Sequence, residues 1–431
     1  MRWQQPTYAR LLAVHLGRSE VLGLVGRFED ALAALAVARP VIPAAHRSAY
    51  EAATERLHLD NQRCRLLMLQ GRLQEAMGAG RAALAQARAI EQRPLSGRAA
   101  TVVAGCYSAL GTVFRNLGQH APALEHLQQA LAVAEAAGDR ERIGSISANL
   151  GIVRDMQGED QKARDLYGAS IAIAEQTGDL EALCNRLVNL GAMLCERGDY
   201  PGAAAALQRA LAVARRIGDR RGAINASTNL ATLHQARGEA DRALALVEAA
   251  LQAARTIGDR RNTGIACYML AELQSGGGQC PQAAALCQQA LDIFEAMGSK
   301  EYVSRACCVL GAIRCRQGDL AAARPLLQRA QALAREIGYA VGVGEAGRAL
   351  GLVHERAGDR AAAAGCLEEA VRAFEQAGYR QGIAEACGDL GRLLPDAERA
   401  AARLDRAAAI YRELGLDRRA AAVETLRGRG R

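Results

Sequence analysis

From residue 99 onward apolar side chains recur at spacings of three and four, break at a glycine, resume, and repeat the whole cycle every 40 residues. Residues 139–178 show one cycle. Ile143, Ile146, Leu150 and Val153 fall on one face of a first helix, A, and Gly158 interrupts it. Ala163, Leu166, Tyr167, Ser170, Ile171 and Ala174 then line the inward face of a second helix, B. Asp139 stands where an N-cap carboxylate accepts from free N–H groups, and Gly138 suits the left-handed residue that ends the preceding helix. Gly151 removes a side chain in mid-helix, where a neighbouring helix must come close. A helix pair of this kind cannot bury both of its faces alone, so the pairs stack.

The markers keep step along the chain. Gly-Asp closes and opens units at Gly138-Asp139, Gly178-Asp179, Gly218-Asp219 and Gly258-Asp259, and continues altered as Gly298-Ser299, Gly338-Tyr339 and Gly378-Tyr379. Leu followed by Gly or Ala recurs at Leu110, Leu150, Leu190, Leu230, Leu270, Leu310, Leu350 and Leu390. Upstream, Gly26-Arg27-Phe28-Glu29-Asp30-Ala31 and Gly71-Arg72-Leu73-Gln74-Glu75-Ala76 read as turns into helix B of two degenerate units, punctuated by Pro40, Pro43 and Pro94. Downstream, Pro395 replaces the glycine within the unit. Three regions follow: two degenerate helical repeats over 1–98, a regular array over 99–394, and a last helix, a capping helix and a basic tail over 395–431. The expected fold is an all-α solenoid of about ten antiparallel pairs plus a cap.

Leu150-Gly151, Gly158, Ala163 and Ser170, repeated as Leu190-Gly191, Gly198, Ala203 and Ala210, resemble the tetratricopeptide repeat, whose usual form is six residues shorter. The 40-residue version is similar to arrays in the polarity adaptors Pins and LGN, in kinesin light chains, and in bacterial signalling ATPases and transcriptional regulators. The resemblance implies a right-handed superhelix with helix A on the concave side. The large aromatics of the usual repeat are mostly missing. The fourth helix-A position holds Ser147, Leu187, Ser227, Cys267, Cys307, Gly347 and Cys387, which predicts close helix packing.

Composition agrees: half the 431 residues are apolar but only 3% aromatic, there are nine prolines, and no run alternates as a strand does. The net charge of +8 is spread over helix faces, apart from a tail with Arg418, Arg419, Arg427, Arg429 and Arg431, expected to be frayed and to carry no recognition chemistry for nucleic acid. The twelve cysteines form no Cys-x-x-Cys pair, and no signal region or membrane-length stretch occurs, so a reducing cytoplasm is the expected setting.

The residue before Leu-Gly or Leu-Ala is Asn149, Asn189 and Asn229, then Met269, Val309, Ala349 and Asp389. One turn earlier stand Ser145, Asn185, Asn225, Ile265, Arg305, Glu345 and Glu385. A carboxamide ladder offers donors and an acceptor to each peptide group of an extended ligand. The resemblance implies that Asn149, Asn189 and Asn229 contact ligand backbone, with Asn185 and Asn225 beside them; the alternative is that these amides bond a neighbouring helix. Arg305, Glu345 and Arg348 mark a charged C-terminal stretch of the same open face.

His234 and His354 are too far apart to share a metal, Cys280 and Cys287 read as small buried thiols, and Gly276-Gly277-Gly278 lacks the Lys that follows in a phosphate loop. No catalytic set, metal site or cofactor site emerges. The expected function is a non-catalytic scaffold or adaptor that binds a peptide or helical segment of a partner protein, with no specific nucleic acid and no membrane. The alternative is a sensor or regulatory arm of a larger signalling ATPase or transcription regulator, which a chain beginning inside a helical pattern at Tyr8 to Leu24 would fit. Partner, pathway and oligomeric state are not legible.

Overall fold

A computed structural model describes residues 5–24, 28–42, 48–70, 72–91, 95 and 97–429. Gly26, Arg27, Pro43, Gly71, Pro94 and Arg431, used above as markers, lie outside the described residues. Among the described residues there are no strands. The degenerate region forms Gln5–Leu24 (α1), Phe28–Ala38 (α2), Ala49–Leu69 (α3) and Leu73–Glu91 (α4). Pairs follow as Gly97–Asn116 and His120–Ala136 (α5, α6), Arg140–Met156 and Asp160–Thr177 (α7, α8), Leu180–Glu196 and Tyr200–Ile217 (α9, α10), and Arg220–Ala236 and Ala240–Thr256 (α11, α12). Then come Arg260–Gly276 and Cys280–Met297 (α13, α14), Lys300–Arg316 and Leu320–Glu336 (α15, α16), and Ala340–Arg356 and Arg360–Ala377 (α17, α18). Arg380–Leu393 and Ala397–Glu413 (α19, α20) make the tenth pair, and Asp417–Arg429 (α21) caps the array. The terminus is helical rather than frayed, because Arg419 and Arg427 are held in ion pairs with Glu385 and Asp405, both at 2.9 Å.

The junctions form as the sequence dictates. Asp139, Asp179, Asp219 and Asp259 each accept from the backbone N–H three residues on, at 2.9–3.1 Å. The residue before each is a glycine at φ +65 to +71, where a side chain would be strained. Ser299, Tyr339 and Tyr379 occupy the same register without a side-chain cap.

In the regular 40-residue pairs the Leu-Gly glycine faces the B-helix residue sixteen positions on, and in the last pair Gly391 faces Leu404, thirteen on. A Cβ built on Gly191 would lie 2.5 Å from Leu207 Cγ, and one on Gly311 2.6 Å from Leu327 Cγ. Where the glycine is replaced by Ala231 or Ala271, the facing residue shrinks to Val247 or Cys287, all four fully buried. Volume is thus conserved pair by pair within one chain. The residues of the fourth helix-A position follow suit: Cys267, Cys307 and Cys387 are fully buried.

Each A helix packs on its own B helix, each B on the next A, and consecutive A helices touch one another along the inner layer. The array also meets itself one superhelical turn later. Arg197 Nη1 donates to Ala377 O at 2.9 Å and Tyr200 OH to Gln381 Oε1 at 2.9 Å, across 180 and 181 residues. Arg419 Nη2 reaches Gln235 O at 3.5 Å across 184. A Cβ on Gly118 would collide with Ile337 O at 1.8 Å, and one on Gly198 with Leu414 Cδ2 at 2.0 Å. Turns within units on one edge of the ribbon therefore meet loops between units on the next coil, about five units per turn. One apolar cluster crosses this seam, joining Cys195, Tyr200 and Leu207 to Ala384, Leu414 and Leu416. Towards the N-terminus the seam instead holds a cleft of about 430 Å³, with Phe28, Leu69 and Arg72 on one side and Asp259, Arg260 and Met297 on the other.

Candidate functional site

The seam changes what the concave face is. Helices in contact lie about 8–10 Å apart, so five A helices per coil give a ring of roughly 45 Å circumference with axes about 7 Å from the centre. A helix with its side chains has a radius of about 5–6 Å. The face expected to be open is therefore the wall of a narrow lumen, in which opposite walls lie within electrostatic reach. Burial lowers the pKa of Arg115 on α5, opposed by Glu301 on α15 and reinforced by Arg261 on α13. Burial likewise raises the pKa of Glu196 on α9, against the pull of Arg305 on α15.

The sequence-predicted amides occupy the N-terminal part. Asn149, Asn189, Asn225 and Asn229 are half-buried, and Asn185 is exposed. Asn149 Oδ1 accepts from Arg115 Nη1 at 3.2 Å, which leaves its amide N–H groups unengaged. Asn229 Nδ2 donates to Asn225 O one turn back at 2.8 Å. Among the described residues the side chains of Asn185, Asn189 and Asn225 make no hydrogen bond. The amides are therefore divided: two are engaged locally and three are not. Opposite them, Arg261 Nη2 donates to Tyr302 OH at 2.7 Å and its guanidinium lies 5.2 Å from the Tyr302 ring centroid.

The C-terminal part is a charged network. Arg348 bonds Glu385 and Asp389 on the next A helix, both at 2.7 Å, and Glu385 also accepts from Arg419 at 2.9 Å. Against its burial, these two guanidiniums hold the Glu385 carboxyl below its ordinary value. Arg305 pairs with Glu301 at 3.4 Å and lies over the Tyr339 ring at 5.0 Å from its centroid. Glu345 has no ion pair among the described residues. Burial pushes its carboxyl up to about 7, Arg305 pulls the other way, and Glu272, Glu196 and Glu385 add repulsion. Arg348 is thus neutralised by two carboxylates, Arg305 pairs along its own helix, and Glu345 is left without an ion pair among the described residues.

Sequence reasoning missed the aromatic part of this wall. Tyr268, Tyr302, Tyr339 and Tyr379 stand beside Arg305, Arg261 and Glu345, and burial lifts Tyr268 to about 12 and holds Tyr339 and Tyr379 well above the ordinary phenol value. A signal was present: tyrosine replaces the capping aspartate at 339 and 379, giving up a cap for a ring that lies under Arg305 at 339 and packs edge-on against Phe374 at 379. Glu196 ends the A helix that carries Asn185 and Asn189, and Glu272 sits on an A helix that the amide pattern did not single out.

Among the described residues no three His, Cys, Asp or Glu converge as a metal needs, and no helix is long and apolar enough to cross a membrane. His234 Nδ1 is engaged with Glu239 at 2.8 Å. All twelve cysteines are free, nine buried and Cys280, Cys308 and Cys366 partly so.

A family model for the MalT-like TPR region matches residues 186–421, and a tetratricopeptide repeat model matches residues 105–176. Curated proteins offer no sequence match. Solved structures share the fold, among them these three. One is a Rap protein complexed with competence and sporulation factor, at TM-score 0.59 and 14% identity over 88% of this chain and 100% of that one. Another is the Rap conjugation gene regulator of plasmid pLS20 with the Phr* peptide, at TM-score 0.57 and 14% identity over 88% and 98%. The third is a monomeric mutant of IFIT1 with Gppp-AAAA, at TM-score 0.51 and 14% identity over 99% and 95%.

Proposed function

The chain belongs to the MalT-like tetratricopeptide repeat family, and from that premise we propose that it is a non-catalytic interaction module whose lumen receives an extended segment of a partner protein. One observation carries this reading. Asn185, Asn189 and Asn225 make no hydrogen bond to other described residues and lie on a wall that solvent reaches, so their donors and acceptors are free to meet a ligand. Main-chain groups of an extended segment match those amides, and the Tyr, Arg and Glu wall beyond them sets which side chains are accepted. A helix, about 10–12 Å across, does not fit between walls so close. Two of the fold neighbours were solved with competence and sporulation factor and with the Phr* peptide, which supports the choice of ligand class. The basic C-terminal helix supports no nucleic-acid role, because Arg419 and Arg427 are committed to carboxylates. Twelve free thiols fit a reducing cytoplasm.

The MalT-like match also favours the second reading, a regulatory arm of a larger signalling ATPase or transcription-regulator system. One experiment addresses both. Affinity capture from native lysate compares the intact chain with an Asn185/Asn189/Asn225→Ala variant of equal helicity and melting temperature. A partner retained only by the intact chain supports luminal binding, and its being an ATPase or DNA-binding protein supports the regulatory arm. Equal retention by both refutes the amide wall as the binding site.

A further inference from the structure

Resting on the reading that the lumen is the binding site, we infer that the seam between successive coils is a latch, and that the lumen opens to a ligand by parting it. The coil described here is closed by the seam, and charged groups of opposite walls lie within electrostatic reach across its axis. Arg115 with Glu301, Glu196 with Arg305 and Glu345 with Glu196 all interact across it. An extended segment threaded through the closed coil enters only end-on, whereas parting the seam opens the wall along its length.

The seam is built to separate. At its N-terminal end it is already a cleft, between Phe28 and Leu69 on one coil and Asp259 and Met297 on the next. Beyond the cleft it is held at separate points: the turn at Gly118 lies against Ile337, Arg419 reaches Gln235 O, and most contacts gather at the turn after α9. Arg197, only 7% exposed, donates through Nη1 to Ala377 O at 2.9 Å across the seam. On its own coil it donates through Nε to Asp160 at 2.6 Å and through Nη2 to Asp155 at 2.8 Å. Tyr200 OH bonds Gln381 at 2.9 Å, and Leu414 seats against bare Gly198. Beside the apolar cluster that crosses the seam from Cys195, Tyr200 and Leu207 to Ala384, Leu414 and Leu416, the polar contacts are single bonds at helix ends and loops. Breaking them leaves every helical ladder intact.

The latch is also wired to the lumen. Asp155 and Glu196 flank Arg197, each raises the other's or Arg197's pKa, and Glu196 in turn feels Arg305 and Glu301 inside the channel. A charged group arriving beside Glu196 therefore alters the carboxylate field that holds Arg197 in place. This is a two-state element that the binding site biases directly.

Glycines at one register supply the test. Gly118, Gly198 and Gly238 all occupy the turn between A and B at φ +73, +81 and +77. A Cβ on Gly118 or Gly198 strikes the next coil, whereas one on Gly238 meets nothing within 4 Å. Gly118→Ala and Gly198→Ala should therefore wedge the seam, and Gly238→Ala carries the same local backbone strain without the wedge. Arg197→Gln releases the latch with no added bulk.

Two readouts need no partner: the radius of gyration in solution scattering, and the rate at which N-ethylmaleimide alkylates Cys308, followed by peptide mass spectrometry. Cys308 is partly buried among Glu345 and Glu272 on the luminal wall. The two wedges and Arg197→Gln should each enlarge the radius of gyration and speed Cys308 alkylation at least tenfold at unchanged helicity, with Gly238→Ala matching the wild type. The latch is refuted if Gly198→Ala and Arg197→Gln stay folded and match the wild type in both readouts, or if Gly238→Ala opens the lumen equally. Because neither readout involves a partner, this outcome is separate from that of the capture experiment.

Discussion

Gly191→Ala sets a gain in helix propensity against a steric cost. In mid-helix the exchange gains about 0.8–1 kcal/mol. Here the new Cβ would lie 2.5 Å from Leu207 Cγ and 2.7 Å from Cδ2, both in a fully buried side chain. Leu207 is wedged against the core and has no free end to swing away, so overpacking costs about 1–3 kcal/mol and the net loss is about 1 kcal/mol. Leu207→Val alone leaves a small void and costs about 1 kcal/mol. Combined, the two recreate the Ala231–Val247 pairing found one unit on. The double variant should then return to wild-type stability or exceed it by up to ~1 kcal/mol, a coupling of about 2 kcal/mol between the sites. Urea midpoints at constant slope measure it, and hydrogen exchange in α9 and α10 localises it. Additive losses, or a Gly191→Ala variant stabilised by the full propensity gain, would refute the reasoning.

Cys387→Phe, placed at a fully buried helix-A position, should cost about 1–3 kcal/mol by overpacking and lower the melting temperature, whereas Cys387→Ser should be mild. Asp179→Ala removes a cap bond of 2.9 Å and should cost about 1 kcal/mol, seen as faster amide exchange in the first turn of α9. Tyr339→Ala removes no cap and should leave exchange in the first turn of α17 unchanged. Glu345 is raised from 4.5 to about 7, so the folded chain binds more protons than the unfolded one between those values. Its contribution to stability is full below pH 4.5 and lost as pH rises through about 7, so melting should fall from pH 6 to pH 8 and Glu345→Gln should flatten that fall.

The helix pairs, their caps and their glycine turns were legible because each is a local bargain: Asp139 with the N–H of Arg142, Gly138 with its positive φ, Gly151 with Tyr167. The closure of the coil was not. It depends on the angle by which each pair turns on the last, and no single residue encodes that angle. Gly118 carries the same marker whether or not Ile337 lies against it, as Gly238 shows. For the same reason Glu196, which feels Arg305 from another coil, and Arg115, which feels Glu301, had no sequence signal. The helical end of the chain was likewise missed, since Arg419 and Arg427 read as loose charge until Glu385 and Asp405 are set beside them.

A stacked array of helix pairs behaves as a linear lattice: each unit answers only to its neighbours, and the ends can be trimmed with local effect. The contacts of Arg197 with Ala377 and of Tyr200 with Gln381 add long-range edges to that lattice and make it in part a ring. Its last two loops become braces for its middle. Fraying at the C-terminus is then felt 180 residues upstream, where Cys195 and Tyr200 lose their cover, and domain boundaries drawn by unit count cut through an element of the fold.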